Sequence, residues 1–275
     1  MVEFDSNPVL PEGEESIETS APFVLRVRNL SRSYSDTVAV DDLSFGIRAG
    51  EILGLVGPNG AGKTTALRSI AGVLPLQSGQ VEVVGFDLQS EEVEAKRCLA
   101  WVPDDPQPFD TLTVREHVEF TAQLYGIRNW EPECDALLER FELTAKRDAL
   151  GGELSRGMRQ KLAFSCAWMS HPKVILMDEP LSGLDPRGIR AAKDAIRSIA
   201  ANGAAVILSS HLLELIEELA DSLLIIDQGK LVFRGSLEEA RALHVEGGVG
   251  SLEEIFMAAT GDGAQAADIS EAKGS

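Results

Sequence analysis

The stretch LGLVGPNGAGKTTALRSIAG, residues 53–72, sets a glycine-rich turn between an apolar run and a segment with helical spacing. Within it, Gly57 to Thr64 satisfy G-x-x-x-x-G-K-[ST] at every fixed place. Glycine lets backbone N–H groups close around phosphate oxygens, an approach that a Cβ would block. A helix beginning at the end of the turn adds the partial positive charge of its N-terminus. Lys63 is placed to reach β- and γ-phosphates, and the Thr64 hydroxyl to ligate Mg2+. The turn as a whole (Gly57, Pro58, Asn59, Gly60, Ala61, Gly62, Lys63, Thr64 and Thr65) therefore reads as a nucleoside triphosphate cradle. An ordinary glycine-rich strand-to-helix turn is the plainer alternative.

A cradle alone hydrolyses nothing; hydrolysis needs an acidic strand end that holds metal and orients water. The segment KVILMDEP supplies one, because Val174 to Met177 read as a buried strand and charge begins abruptly at Asp178 and Glu179. Open α/β sheets place their ligands at such C-terminal strand ends. Asp178 is expected to bind the metal through its waters and Glu179 to polarise the attacking water.

The elements that must position these groups follow from periodicity. Val24 to Arg28, Leu43 to Arg48 and Glu51 to Val56 read as strands, and so does Ala205 to Ser210. After Thr64, Leu67, Ile70, Ala71 and Leu74 recur at helical steps. Two further helical patterns interrupt the α/β alternation: Val114, Val118, Thr121 and Leu124, then Leu137, Leu138 and Phe141.

A chain of 275 residues is long enough for one principal α/β domain with appendages. Its net charge of −19 disfavours nucleic acid and anionic lipid as partners. The sequence carries no apolar run long enough to span a membrane and no signal-peptide pattern, so a cytoplasmic protein is expected. Cys98, Cys134 and Cys166 lack metal-ligand spacing and read as reduced packing residues. Residues 1–22 carry six acids, three prolines and no basic side chain, the composition of a disordered arm.

The order of motifs resembles that of the nucleotide-binding subunits of ABC transporters. The resemblance spans roughly residues 23–240 and rests on GPNGAGKTT, ELSRGMRQKLAFSCAWMSHP, VILMDEP, LSGLDP and ILSSH. It implies a P-loop NTPase core with a β-rich N-terminal subdomain and a helical subdomain inserted at about 111–170. A C-terminal helix and flexible tail would then occupy 241–275. It implies ATP and Mg2+ as ligands, with Tyr34 stacking on adenine and His211 contacting the γ-phosphate. Ser155 and Gly157 would complete the nucleotide site of the opposite subunit, and Asp185 would communicate between the two sites. The implied partners are a separate multi-span permease and a second ATPase subunit, homodimeric or heterodimeric. The chain would sit on the cytoplasmic face of the membrane through that permease.

Two segments depart from the family pattern. Asp104 stands where the family usually has a glutamine that meets the metal, and an ionised acid cannot donate a hydrogen bond. Gln107, three residues later between prolines, is the other candidate there. Arg156 replaces the first glycine of the signature, and Met158 its glutamine. Signatures reading S-x-G-M-R-Q resemble those of ABC-2-type export systems, which points to export. Arg156, Arg159 and Lys161 crowd the first turns of a helix, where its dipole disfavours cations. Either a phosphate from the opposite subunit or a solvated basic face would account for them. The alternative reading is a soluble ABC ATPase uncoupled from transport; the coiled coils, zinc-binding cysteines or second ATPase domain of such proteins are not seen here. A nucleotide-sensing module without turnover is disfavoured by Glu179.

Overall fold

The computed structural model describes residues 22–242, and 241–242 only in backbone. The arm expected over 1–22 and the helix and tail expected over 241–275 lie, apart from 22, 241 and 242, outside the described residues.

The strands begin with β1 (Phe23–Tyr34) and β2 (Thr37–Arg48), an antiparallel hairpin that continues well past the short apolar runs of the sequence. Register shifts near Leu30 and Arg32 bend it, which is why strict alternation fades there. Strands β4 (Ser78–Val83) and β5 (Phe86–Asp87) complete a four-stranded sheet in the order β2-β1-β4-β5. A second sheet has the order β10-β9-β3-β8-β7-β6, built from β3 (Ile52–Val56), β6 (Leu99–Val102), β7 (Val174–Asp178), β8 (Ala205–Ser209), β9 (Ser222–Asp227) and β10 (Lys230–Ser236). All its neighbouring pairs are parallel except β9 with β10.

Strands β3, β7 and β8 are buried throughout, as expected for parallel strands covered on both faces. Their side chains alternate between two cores. Leu53, Leu55, Leu176 and Ile207 join the core shared with the first sheet and with α1 (Lys63–Ile70) and α2 (Glu92–Arg97). Ile52, Val56, Met177 and Leu208 join the other, with α3 (Val114–Leu124), α4 (Glu131–Arg140), α5 (Arg156–Met169), α6 (Pro186–Ala201) and α7 (Leu213–Leu219). Gly54 faces α7, where an added Cβ would meet Ile216 Cγ2 at 2.5 Å. A last helix, α8 (Leu237–Ala242), follows β10.

The apolar spacing after Thr64 runs past the helix it implies. Helix α1 ends at Ile70, Gly72 turns the chain with φ 64°, and Leu74 lies beyond it only half buried. On α3 the buried residues are Val114, His117, Val118 and Ala122, while Leu124, the last residue of the helix, is 64% exposed. Thr113 and Glu116 form a capping box that fixes where α3 starts. Leu137, Leu138 and Phe141 are all buried. Cys98, Cys134 and Cys166 are free thiols, and burial pushes that of Cys166 up to about 11. Among the described residues no helix is long and apolar enough to cross a membrane.

Candidate active site

The parallel strands deliver their C-terminal ends to one edge of the sheet. The turn Gly57–Gly62 leaves β3 there, Asp178 ends β7, and Ser209 ends β8. Because β8 lies between β3 and β7, Ser209 stands in register with both Leu55 and Asp178.

Backbone conformation in the turn requires glycine at two places. Gly60 has φ 83°, and Gly62, which caps α1, has φ 102°. A Cβ on Gly62 would sit 2.1 Å from the Ala39 carbonyl oxygen, so β2 also closes on the turn. The Gly229 amide donates to Ala61 O at 3.0 Å, which ties the turn to the β9–β10 hairpin. Lys63 folds back over the turn, its Nζ donating to Gly57 O at 2.7 Å and Pro58 O at 3.1 Å. Burial lowers the pKa of the ammonium, against the opposing pull of the Glu179 and Asp178 carboxylates. Asn59, Gly60, Ala61, Gly62, Lys63, Thr64 and Thr65 line one cavity together with Ala39, Asp178 and Glu179.

Asp178 is buried, and Ser209 Oγ donates to its Oδ1 at 2.6 Å. Glu179 leaves the strand with φ 46°, a left-handed conformation uncommon for this residue type. Its amide donates to Ser209 O and also lies 3.2 Å from Ser209 Oγ. Its carboxylate Oε2 lies 2.8 Å from His211 Nδ1. Ser209 therefore organises both acids, a role that its neighbours in sequence do not suggest. The one hint in the sequence is a pair of hydroxyl residues ending an otherwise apolar strand. His211 faces a neighbouring cavity bounded by Leu181, Ile189 and Leu213, and reaches the first cavity through Glu179.

The remaining sequence candidates lie outside the cradle's lining. Tyr34 sits at the tip of the β1–β2 hairpin with an exposed ring, over which the Arg32 guanidinium lies at 5.0 Å. Ser155 caps α5, its Oγ accepting from Met158 N at 3.3 Å. Gly157 packs so closely on the turn after β7 that a Cβ would meet Gly183 O at 2.6 Å. Asp185 caps α6, accepting from Gly188 N at 3.1 Å, and pairs with Lys161 Nζ at 3.2 Å. Asp104, also considered for the metal, pairs with Arg156 at 2.9 Å and does not line the cavity. Gln107 donates to Asp105 at 2.7 Å.

The cations at the start of α5 are paired with carboxylates of this chain while Arg156 stays about half exposed. Arg156 pairs with Asp104, Arg159 with Asp105 at 3.4 Å, and Lys161 with Glu142 and Asp185. Carboxylates of the same chain thus offset the unfavourable placement of cations on the helix dipole.

Comparison with known proteins bears on the family. The family model described as ABC transporter matches residues 40–182. The ABC-type transporter ATP-binding protein EcsA of Bacillus subtilis (strain 168) is 32% identical over 220 residues, covering 79% of this chain and 89% of that protein. The Nod factor export ATP-binding protein I of Sinorhizobium fredii is 35% identical over 217 residues, 77% of this chain and 62% of its own length. A solved ATP-binding subunit of an ABC transporter superposes with a TM-score of 0.81 at 31% identity, covering 86% of this chain and 99% of that one. These likenesses show that the chain belongs to the ABC transporter family as an ATP-binding, ATP-hydrolysing subunit.

Proposed function

We propose that this subunit works as a pair, two copies or one copy with a close relative, each pair enclosing two ATP molecules between cradle and signature segments. Ser155 and Gly157 would contact the nucleotide bound to the opposite subunit, Tyr34 would stack on adenine, and Asp185 would couple the two sites. ATP closes the pair and hydrolysis lets it part; the cycle drives a separate multi-span permease from the cytoplasmic side. Export is the favoured direction, from the S-R-G-M-R-Q signature and from relatives whose names describe Nod factor export and linearmycin resistance. A net charge of −19 disfavours a nucleic-acid task.

The observation that carries the catalytic reading is the pairing of Glu179 with His211 beside the buried Asp178. Glu179 orients and polarises the attacking water. His211 holds that carboxylate in place and meets the γ-phosphate from the neighbouring strand end. Lys63 leaves its carbonyl partners for β- and γ-phosphate oxygens, for which it makes shorter, charge-assisted bonds. The donor set fits Mg2+: hard oxygens of Thr64 and Asp178 adjoin the cradle, while the described residues hold no cluster of three His, Cys, Asp or Glu able to cage an ion alone. Such a site requires phosphate oxygens and waters to complete it, as magnesium prefers. When bound, the ion neutralises charge on the phosphates.

The test of the transporter reading is mass spectrometry of proteins recovered from detergent-solubilised membranes with tagged Glu179→Gln protein held in ATP. Stoichiometric recovery of a multi-span protein supports it. Recovery of soluble partners alone favours an ABC ATPase uncoupled from transport.

A further inference from the structure

Two residues read in the sequence as departures from the ABC pattern, Asp104 and Arg156, meet each other across 52 residues of chain. Arg156 Nη2 donates to Asp104 Oδ1 and to Ser182 Oγ, each at 2.9 Å. Its aliphatic stem lies on Gly183, where an added Cβ would be 3.2 Å from Arg156 Cδ. One turn further along α5, Arg159 pairs with Asp105, and Gln160 Nε2 donates to Pro103 O at 3.4 Å. The loop after β6 is thereby fastened to the first turns of α5 by three successive residues. The far side of this clasp reaches the catalytic turn, because the Ser182 amide donates to Glu179 O at 3.0 Å. Asp104, Arg156, Ser182 and Glu179 form one series of contacts.

We propose that Arg156 is a positioning residue for hydrolysis: by clasping Asp104 and Ser182 it fastens the loop after β6 to the turn that carries Glu179. The acid at 104 and the arginine at 156 then act as one unit, the anion of the first requiring the cation of the second. The inference rests on Glu179 being the water-orienting base.

The experiment uses the full chain with Asp104→Ala, Arg156→Ala, both together, and the reversed pair Asp104→Arg with Arg156→Asp. It reads steady-state kcat, equilibrium binding of a fluorescent ATP analogue, and amide hydrogen exchange. Half-exposed ion pairs make modest contributions, so each single variant is expected to lose about threefold in kcat with nucleotide affinity unchanged. The double variant should lose no more than either single one, and the reversed pair, which restores the ion pair without the arginine's bond to Ser182, should regain part of the loss. Exchange at the Ser182 amide should quicken in Asp104→Ala, a half-exposed residue joined to Ser182 by hydrogen bonds through Arg156. Multiplicative losses in the double variant, a parallel fall in affinity and kcat, or unaltered Ser182 exchange in Asp104→Ala each overturn the proposal. Wild-type turnover by Glu179→Gln would instead remove the assigned base, while Ser182 exchange would still report whether the clasp exists.

Discussion

Ser209→Ala removes one hydroxyl from the middle of the site. That residue is fully buried, donates to a charged acceptor at 2.6 Å, and adjoins the amide of Glu179 at 3.2 Å. Hydrogen bonds to charged groups contribute about 1.5–3 kcal/mol, and Asp178 is too buried for water to replace the lost donor freely. For a domain of this size each kcal/mol moves Tm by about 2–4 °C, so a fall of roughly 3–12 °C is expected. If about half of that free energy had been holding Asp178 and Glu179 in their reactive orientation, kcat falls roughly 4- to 12-fold. Affinity for ATP should hold, because Ser209 does not line the phosphate cavity. The assay is a thermal melt beside steady-state phosphate release and nucleotide titration. A variant with wild-type Tm and kcat would refute the claim that Ser209 organises the two acids.

Other consequences concern the frame of the site. Gly62→Ala places a methyl group against Ala39 O at φ 102°, and should abolish nucleotide binding and cost about 2 kcal/mol or more by urea unfolding. Glu51 ties β3 to β9 and β10; burial pushes its carboxyl up, but hydrogen bonds from Ser222, the Arg48 amide and Arg234 outweigh this and hold it below its ordinary value. A lowered folded-state pKa gives stability that is present above the unfolded-state value, about 4.3, and lost as pH falls through the folded one. Glu51→Gln should therefore lower Tm at pH 7 and flatten the decline of Tm below about pH 4.3, read in melts from pH 7 to pH 3. An unchanged acid limb would contradict that account.

The cradle and the acids of β7 were legible because their geometry is local. A strand, a turn with two positive-φ glycines and a helix follow one another in sequence, and charge ends β7 abruptly. The position of Ser209 was not legible, since its meaning depends on β8 entering the sheet between β3 and β7. The partners of Arg156, Arg159 and Lys161 were equally hidden: a helix start shows a conflict with its dipole, while the carboxylates that relieve it lie 52 and 54 residues away for the two arginines. Exposure at Leu124 was missed for a simpler reason. A face read by steps of three and four does not report where the helix ends, and α3 stops there.

In the function proposed here Glu179 orients the attacking water, in a site that binds ATP without it. Glu179→Gln keeps the side-chain volume and removes the negative charge. Single-turnover hydrolysis with excess enzyme measures the chemical step directly. ATP should bind with near wild-type affinity and be cleaved at least about 100-fold more slowly. Cleavage at the wild-type rate would contradict that role and move the search for the base to another group at this strand edge.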